Sequence, residues 1–138
     1  LYPFLTDFRC VWELNADEVA YEGIRYYSRW FDADGSRVDE VFAKLAYIDS
    51  ANFARLVTCP VLFGTGLDDP VVPPEAQFAA YNALTCPKRH LLYPGYAHEE
   101  IGDFDDKIID FFCSDKGEQA LKELDSSFPA QAECEVGA

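Results

Sequence analysis

The chain has 138 residues and a formal net charge of −14, from 25 acidic against 11 basic side chains. That length suits one domain, and a 49% hydrophobic, 15% aromatic composition can fill a core, so the acidity reads as a solvated surface. It argues against nucleic acid, because no basic stripe exists to displace counterions from phosphates, and against an anionic membrane surface.

No run of about 18 apolar residues is present to span a bilayer, and no signal peptide is visible. Five cysteines (Cys10, Cys59, Cys86, Cys113, Cys134) lack CxxC spacing. They point to free, mostly buried thiols, leave room for one disulfide, and give neither a zinc site nor a full disulfide framework. The chain opens on Leu1-Tyr2-Pro3-Phe4-Leu5, an apolar strand end with no preceding cap and no initiating Met. It reads as part of a longer protein, which leaves the compartment open.

After an exit loop, Asp7 can cap a turn over Phe8 to Leu14. A helical stretch follows, with Asn15 or Asp17 as its cap and Val19, Ile24, Tyr26, Tyr27 and Trp30 on its apolar side, ending between Asp32 and Gly35. Its Tyr26-Tyr27-Trp30-Phe31 cluster reads first as core packing and second as a pocket wall or subunit contact. Ser36 with Asp39 predicts the next helix, striped by Val38, Val41, Phe42, Leu45 and Ile48 and ending around Tyr47 to Ser50. Asn52 to Leu56 is a short amphipathic turn. No strand signal lies between residues 8 and 60, so a helical layer precedes the next strand.

Pro60-Val61-Leu62-Phe63-Gly64-Thr65-Gly66 is a short apolar run ending in glycine, as a buried parallel strand does. Asp68 and Asp69 follow it. Pro70, Pro73 and Pro74 stiffen the loop into a helix whose face carries Phe78, Tyr81 and Leu84. Lys88 to Tyr93 is the second strand, and a helix of this size between two strands forces parallel pairing. A loop through Pro94-Gly95 then delivers His98, and Ile101, Phe104, Ile108, Phe111 and Phe112 stripe a last helix ending near Asp115 to Gly117. Glu99 and Glu100 suit the positive end of that helix. Residues 116–138 read as an acidic, mobile tail, and residues 1–115 as one α/β unit.

Asp69 and His98 thus follow consecutive strands at one edge of a sheet. A histidine serves as general base for a hydroxyl when its other ring nitrogen is held by a carboxylate, so the pair predicts the back half of a Ser-His-Asp hydrolase in α/β-hydrolase order. His98 competes with a reading as an ordinary loop histidine, and His90 at the strand start reads as structural. Asp68 competes with Asp69, since strand alternation sends neighbours to opposite sides. Two adjacent carboxylates with no further ligand spacing are weak support for a metal. The serines (Ser28, Ser36, Ser50, Ser114, Ser126, Ser127) include none in Gly-x-Ser-x-Gly, so the nucleophile and the oxyanion donors are expected upstream of Leu1.

Several blocks carry a resemblance. Tyr2-Pro3-Phe4-Leu5-Thr6-Asp7-Phe8-Arg9, Ile24-Arg25-Tyr26-Tyr27-Ser28-Arg29-Trp30-Phe31-Asp32, Val41 to Asp49, Gly66-Leu67-Asp68-Asp69-Pro70-Val71-Val72-Pro73-Pro74, Gln77 to Asn82 and Tyr93-Pro94-Gly95-Tyr96-Ala97-His98-Glu99 are similar to the acetyl xylan esterase and cephalosporin-C deacetylase family of α/β-hydrolases. The likeness runs in order from residue 1 to about 113. It implies the C-terminal half of an α/β-hydrolase, with parallel strands, flanking helices and a helical insertion before the acid-bearing strand. It also implies a serine esterase that removes acetyl groups from small sugar esters, no metal or organic cofactor, and a ring-like hexamer. By position Asp69 becomes the triad acid and His98 the triad base, and Asp68 falls where the family varies. Val72 and Glu75 depart from the family's usual Cys and small hydroxyl residue, which bears on substrate preference. Two alternatives stay open: a catalytically silent packing or oligomerisation module, and another α/β-hydrolase such as a peptidase or dienelactone hydrolase.

Overall fold

A computed structural model describes residues 6–16 and 19–113. The expected strand end at residues 1–5 and the tail from 116 onward lie outside the described residues, as does Asp17. Asp7, at φ 47°, accepts a hydrogen bond from the Cys10 N–H through its carboxylate and starts α1 (Phe8–Glu13), the cap expected from sequence. Cys10, Cys59, Cys86 and Cys113 are free thiols, though not the mostly buried ones expected: Cys59 and Cys113 are exposed and the other two half-buried.

The next helix begins later than its apolar spacing indicates. A single 3₁₀ turn, Val19–Tyr21, leads into α2 (Glu22–Phe31), and no side chain caps it. Asn15 stands at φ 53° outside any helix, in the left-handed region that Asn tolerates. The aromatic cluster is not core. No residue of α2 is buried, and Tyr26, Trp30 and Phe31 are 59%, 66% and 64% exposed, packing mainly on one another.

α3 spans Val38–Leu45, and Ser36 is not its cap. Instead the buried Asp32 carboxylate reaches forward to accept from the Arg37 N–H at 3.0 Å, with the Ser36 hydroxyl as a weaker donor at 3.5 Å. Asp49 organises the following corner. One of its oxygens accepts from the N–H groups of Asp7 and Ala51 and the other from Phe8, so one buried carboxylate caps α4 (Ser50–Ala54) and ties it to the start of α1.

Among the described residues two strands form the sheet, β1 (Val61–Gly66) and β2 (Lys88–Tyr93), paired in parallel from Val61–Lys88 to Gly66–Tyr93. Between them runs α5 (Pro74–Ala83), with proline at its first turn. Alternation along β1 sorts the two layers. Val61 and Phe63 pack with Ala54, Ala80 and Leu84 on one face, while Leu62 packs with Leu91, Ile101 and Phe104 on the other. The buried residues of α5 are Ala76, Gln77 and Ala80, small and polar. Of the expected Phe78, Tyr81 and Leu84 face, Leu84 is buried just beyond the helix end, Tyr81 packs half-buried on Phe63, and Phe78 and Tyr81 flank His90. The last helix, α6 (Gly102–Cys113), buries Phe104 completely. Among the described residues no helix is long and apolar enough to cross a membrane.

Candidate active site

Parallel pairing brings the C-terminal ends of β1 and β2 to one edge, and the two loops leaving that edge are tied together. Leu67 N–H donates to the Tyr93 carbonyl and Asp68 N–H to the Tyr96 carbonyl. Gly66 makes this approach sterically feasible. A Cβ there would stand 2.7 Å from the Tyr96 carbonyl oxygen and 3.0 Å from that of Ala97, both backbone atoms that cannot swing aside.

Asp69 has its two carboxylate oxygens in separate roles. Oδ1 accepts from the N–H groups of Val71 and Val72, each at 2.9 Å, which closes an Asx-type turn and fixes χ1. Oδ2 is left to face His98 Nδ1 at 3.1 Å. A carboxylate only accepts, so Nδ1 carries the ring hydrogen and Nε2 is the nitrogen with a free lone pair. The Asp69 side chain is 9% exposed and that of His98 54%, so the carboxylate is shielded and the imidazole is open to solvent.

The structure therefore brings together the two side chains that sequence reading pairs, and leaves Asp68 out. Asp68 is exposed in a turn that begins once the strand has ended at Gly66. Strand alternation does not apply there; turn geometry makes the choice. Glu99 and Glu100 do not open α6 either. Glu99 folds back to accept from the Ala97 N–H at 3.1 Å, bracing the histidine loop, and Asp103 and Asp105 occupy the first turn of the helix.

Asp69 and His98 line an open cleft of about 560 Å³, with Val72, Gln77, Ile101 and Asp105 among its other walls. Behind it sits His90. Its Nε2 is 2.8 Å from the Thr65 hydroxyl, its ring is enclosed by Phe63, Phe78 and Tyr81, and burial, followed by the charge of Lys88, lowers its pKa to about 4. His90 is thus a neutral, packed side chain. Sequence reading missed Thr65 and Gln77 as site residues. The available signal was a hydroxyl inside an otherwise apolar strand, which has to find a partner. Nearby, burial first and the Asp69 charge second raise the pKa of Tyr21, whose hydroxyl is buried with no hydrogen-bond partner among the described residues. Among those residues no group of three or more His, Cys, Asp or Glu side chains is arranged to hold a metal ion.

Comparison with known proteins fits this geometry. The family described as Acetyl xylan esterase (AXE1) matches residues 1–115. Acetyl esterase Axe7A of Xylanibacter ruminicola is 43% identical over 54 residues, covering 39% of this chain and 12% of that protein. Acetyl xylan esterase 1 from Thermoanaerobacterium sp. JW/SL YS485 superposes with a TM-score of 0.77 at 43% identity. An acetyl xylan esterase from Paenibacillus sp. R4 does so with 0.75 at 33%. Each alignment covers 79% of this chain and 34% of the solved one, so the chain spans about a third of the length of these relatives.

Proposed function

The chain belongs to the acetyl xylan esterase family, and from that premise we propose that it carries the acid and the base of a carboxylic-ester hydrolase that removes acetyl groups from xylo-oligosaccharides or similar small esters. The hydrogen bond between Asp69 Oδ2 and His98 Nδ1, with the exposed His98 side chain lining the cleft, is the observation that supports this most directly.

In this reading a serine hydroxyl from another part of the full-length protein approaches His98 Nε2. None of the described serines lines the cleft, and Ser36 is engaged with Asp32. His98 takes the hydroxyl proton as the serine oxygen bonds to the acetyl carbonyl carbon, and the Asp69 carboxylate stabilises the imidazolium that forms. When the tetrahedral adduct collapses, the same proton passes from Nε2 to the departing sugar oxygen, leaving an acetyl-serine. Water then repeats the cycle: His98 removes its proton, acetate leaves, and the serine regains its hydrogen. Every proton enters and leaves through Nε2, so holding Nδ1 is what the acid is for.

The test is acetate release by the full-length protein from p-nitrophenyl acetate and acetylated xylose. His98→Ala and Asp69→Asn are each expected to lower kcat by about 10³- to 10⁴-fold, Asp69→Asn because an amide presents a donor to Nδ1 and favours the wrong tautomer. Activity unchanged in His98→Ala would overturn the reading.

A further inference from the structure

Asp69 is held by the Val71–Val72 backbone, and that backbone is itself held from the interior. The Gln77 amide nitrogen donates to the Val72 carbonyl at 2.7 Å, and the Gln77 amide oxygen accepts from the Thr65 hydroxyl at 3.0 Å. Thr65 has a single hydrogen and gives it to Gln77, so the 2.8 Å contact with His90 requires His90 Nε2 to donate. The donors thus run in one direction: His90 to Thr65, Thr65 to Gln77, Gln77 to the Val72 carbonyl. From Val72 the N–H continues to Asp69 Oδ1, and Asp69 Oδ2 receives the His98 ring hydrogen.

Each inner member is placed by an independent part of the fold. Thr65 is fully buried near the end of β1, Gln77 is 3% exposed on the inner side of α5, and His90 is clamped by three rings. The loop they hold has proline on both sides of the Val71–Val72 pair, at 70 and at 73–74, and therefore few backbone donors of its own with which to fix its shape. A buried amide with both ends satisfied is rigid, and the cost of leaving either end unpaired favours one arrangement.

We propose that Gln77, seated by Thr65 and His90, is a positioning residue for the acid of the hydrolase: it fixes the Val72 backbone by its carbonyl, and through the Val72 N–H the direction of Asp69 Oδ2 toward His98. This rests on the reading of Asp69 and His98 given above. Gln77 also reaches the wall of the cleft, so its amide joins the packed interior to the reacting edge.

The experiment compares kcat, KM and Tm in the full-length protein. Gln77→Met keeps the chain length and loses both hydrogen bonds. It is expected to lower kcat roughly 10- to 100-fold, as a misaimed acid does, while KM stays within about two-fold because both polar ends of Gln77 are committed to Thr65 and Val72 rather than to a ligand. Thr65→Val, which keeps the shape and loses the hydroxyl, should lower kcat in the same sense. Thr65→Ser, which loses a buried methyl but keeps the hydroxyl, should lower Tm and spare kcat. In an Asp69→Asn background Gln77→Met should have no further effect on kcat, because the residue acts only through Asp69. A folded Gln77→Met enzyme with wild-type kcat, or a loss that persists at full size beside Asp69→Asn, overturns the proposal. Should the unaltered protein release no acetate, the hydrolase reading fails, and the His98 Nδ1–H proton resonance then decides the positioning claim. Its loss in Gln77→Met supports that claim, and an unchanged resonance overturns it.

Discussion

At the scale of single residues, two adjacent aspartates and two histidines behave oppositely for reasons of place. Asp68 meets solvent, while Asp69 turns inward because Val71 and Val72 offer it N–H donors that the proline-rich loop leaves unused. This was only half legible in sequence: the acid pair was visible, but the Asx-type turn that separates them depends on where β1 stops. The histidines divide by burial. His98 is open, whereas His90 is enclosed by aromatic rings, and burial, with Lys88 second, holds its pKa at about 4 against an ordinary 6.5. A consequence for stability follows. Between pH 6.5 and 4 the unfolded chain protonates this histidine and the folded one does not, so the unfolded state binds more protons and stability falls as pH is lowered through that window. Above 6.5 both states are neutral and the contribution is flat. The expected result is a Tm that declines on acidification from 6.5 towards 4, more steeply in the parent than in His90→Gln, which has no titrating ring. Thermal unfolding of both across that range checks it, and parallel curves would count against a neutral, half-buried His90.

Among the elements, helix existence was legible, as were the starts of α1 and α5, while those of α2 and α3 were not. The 3.6-residue stripes identified α2, α3, α5 and α6, but α2 begins only after an uncapped 3₁₀ turn at Val19–Tyr21, and α3 begins at Val38, after the Asp32 carboxylate has taken the Arg37 N–H. The close contact of β1 with α6 was also hidden, since it depends on what is missing from a side chain. A Cβ on Gly64 would lie 2.7–2.9 Å from three ring carbons of Phe104, which is itself fully buried, so the ring lies directly over the strand. Gly64→Ala should therefore push α6 away from the sheet and destabilise by about 1–3 kcal/mol, the usual cost of overpacking a filled core. Phe104→Leu alone leaves a cavity, yet in combination with Gly64→Ala it makes room for the new methyl. The double variant should accordingly lose less stability than the sum of the singles, by roughly 0.5–3 kcal/mol of coupling. Denaturant melts of the four proteins measure this. Simple additivity would mean that helix and strand do not bear on one another at that point.

For the molecule as a whole, the aromatic face of α2 poses the largest question of burial. Sequence reading put Tyr26, Tyr27, Trp30 and Phe31 in a core because an aromatic cluster on one helix ordinarily has a partner, and nothing in the residues themselves says which part of a protein supplies it. Among the described residues Tyr26, Trp30 and Phe31 are largely exposed and Tyr27 is half-buried, and the rings pack on one another. Contiguous apolar surface of this kind is uncommon on a free monomer and usually marks an interface. The chain also spans only 34% of its solved relatives' length, while the sheet has two strands among the described residues. On the proposal that the chain works as part of a longer polypeptide, that polypeptide is the expected cover. Trp30 can report on this through the difference in emission between the parent and Trp30→Phe, recorded in each protein, because Trp12 and any tryptophan outside this chain then cancel. At 66% exposure Trp30 should be readily quenched by acrylamide and emit at long wavelength in the 138-residue chain. In the full-length protein its emission should shift to the blue and its quenching constant should fall several-fold, roughly as expected for an indole moving from water into a packed interface. Equal quenching in the two proteins would show that this face stays open to solvent, and would leave the aromatic cluster free to serve as a contact between copies.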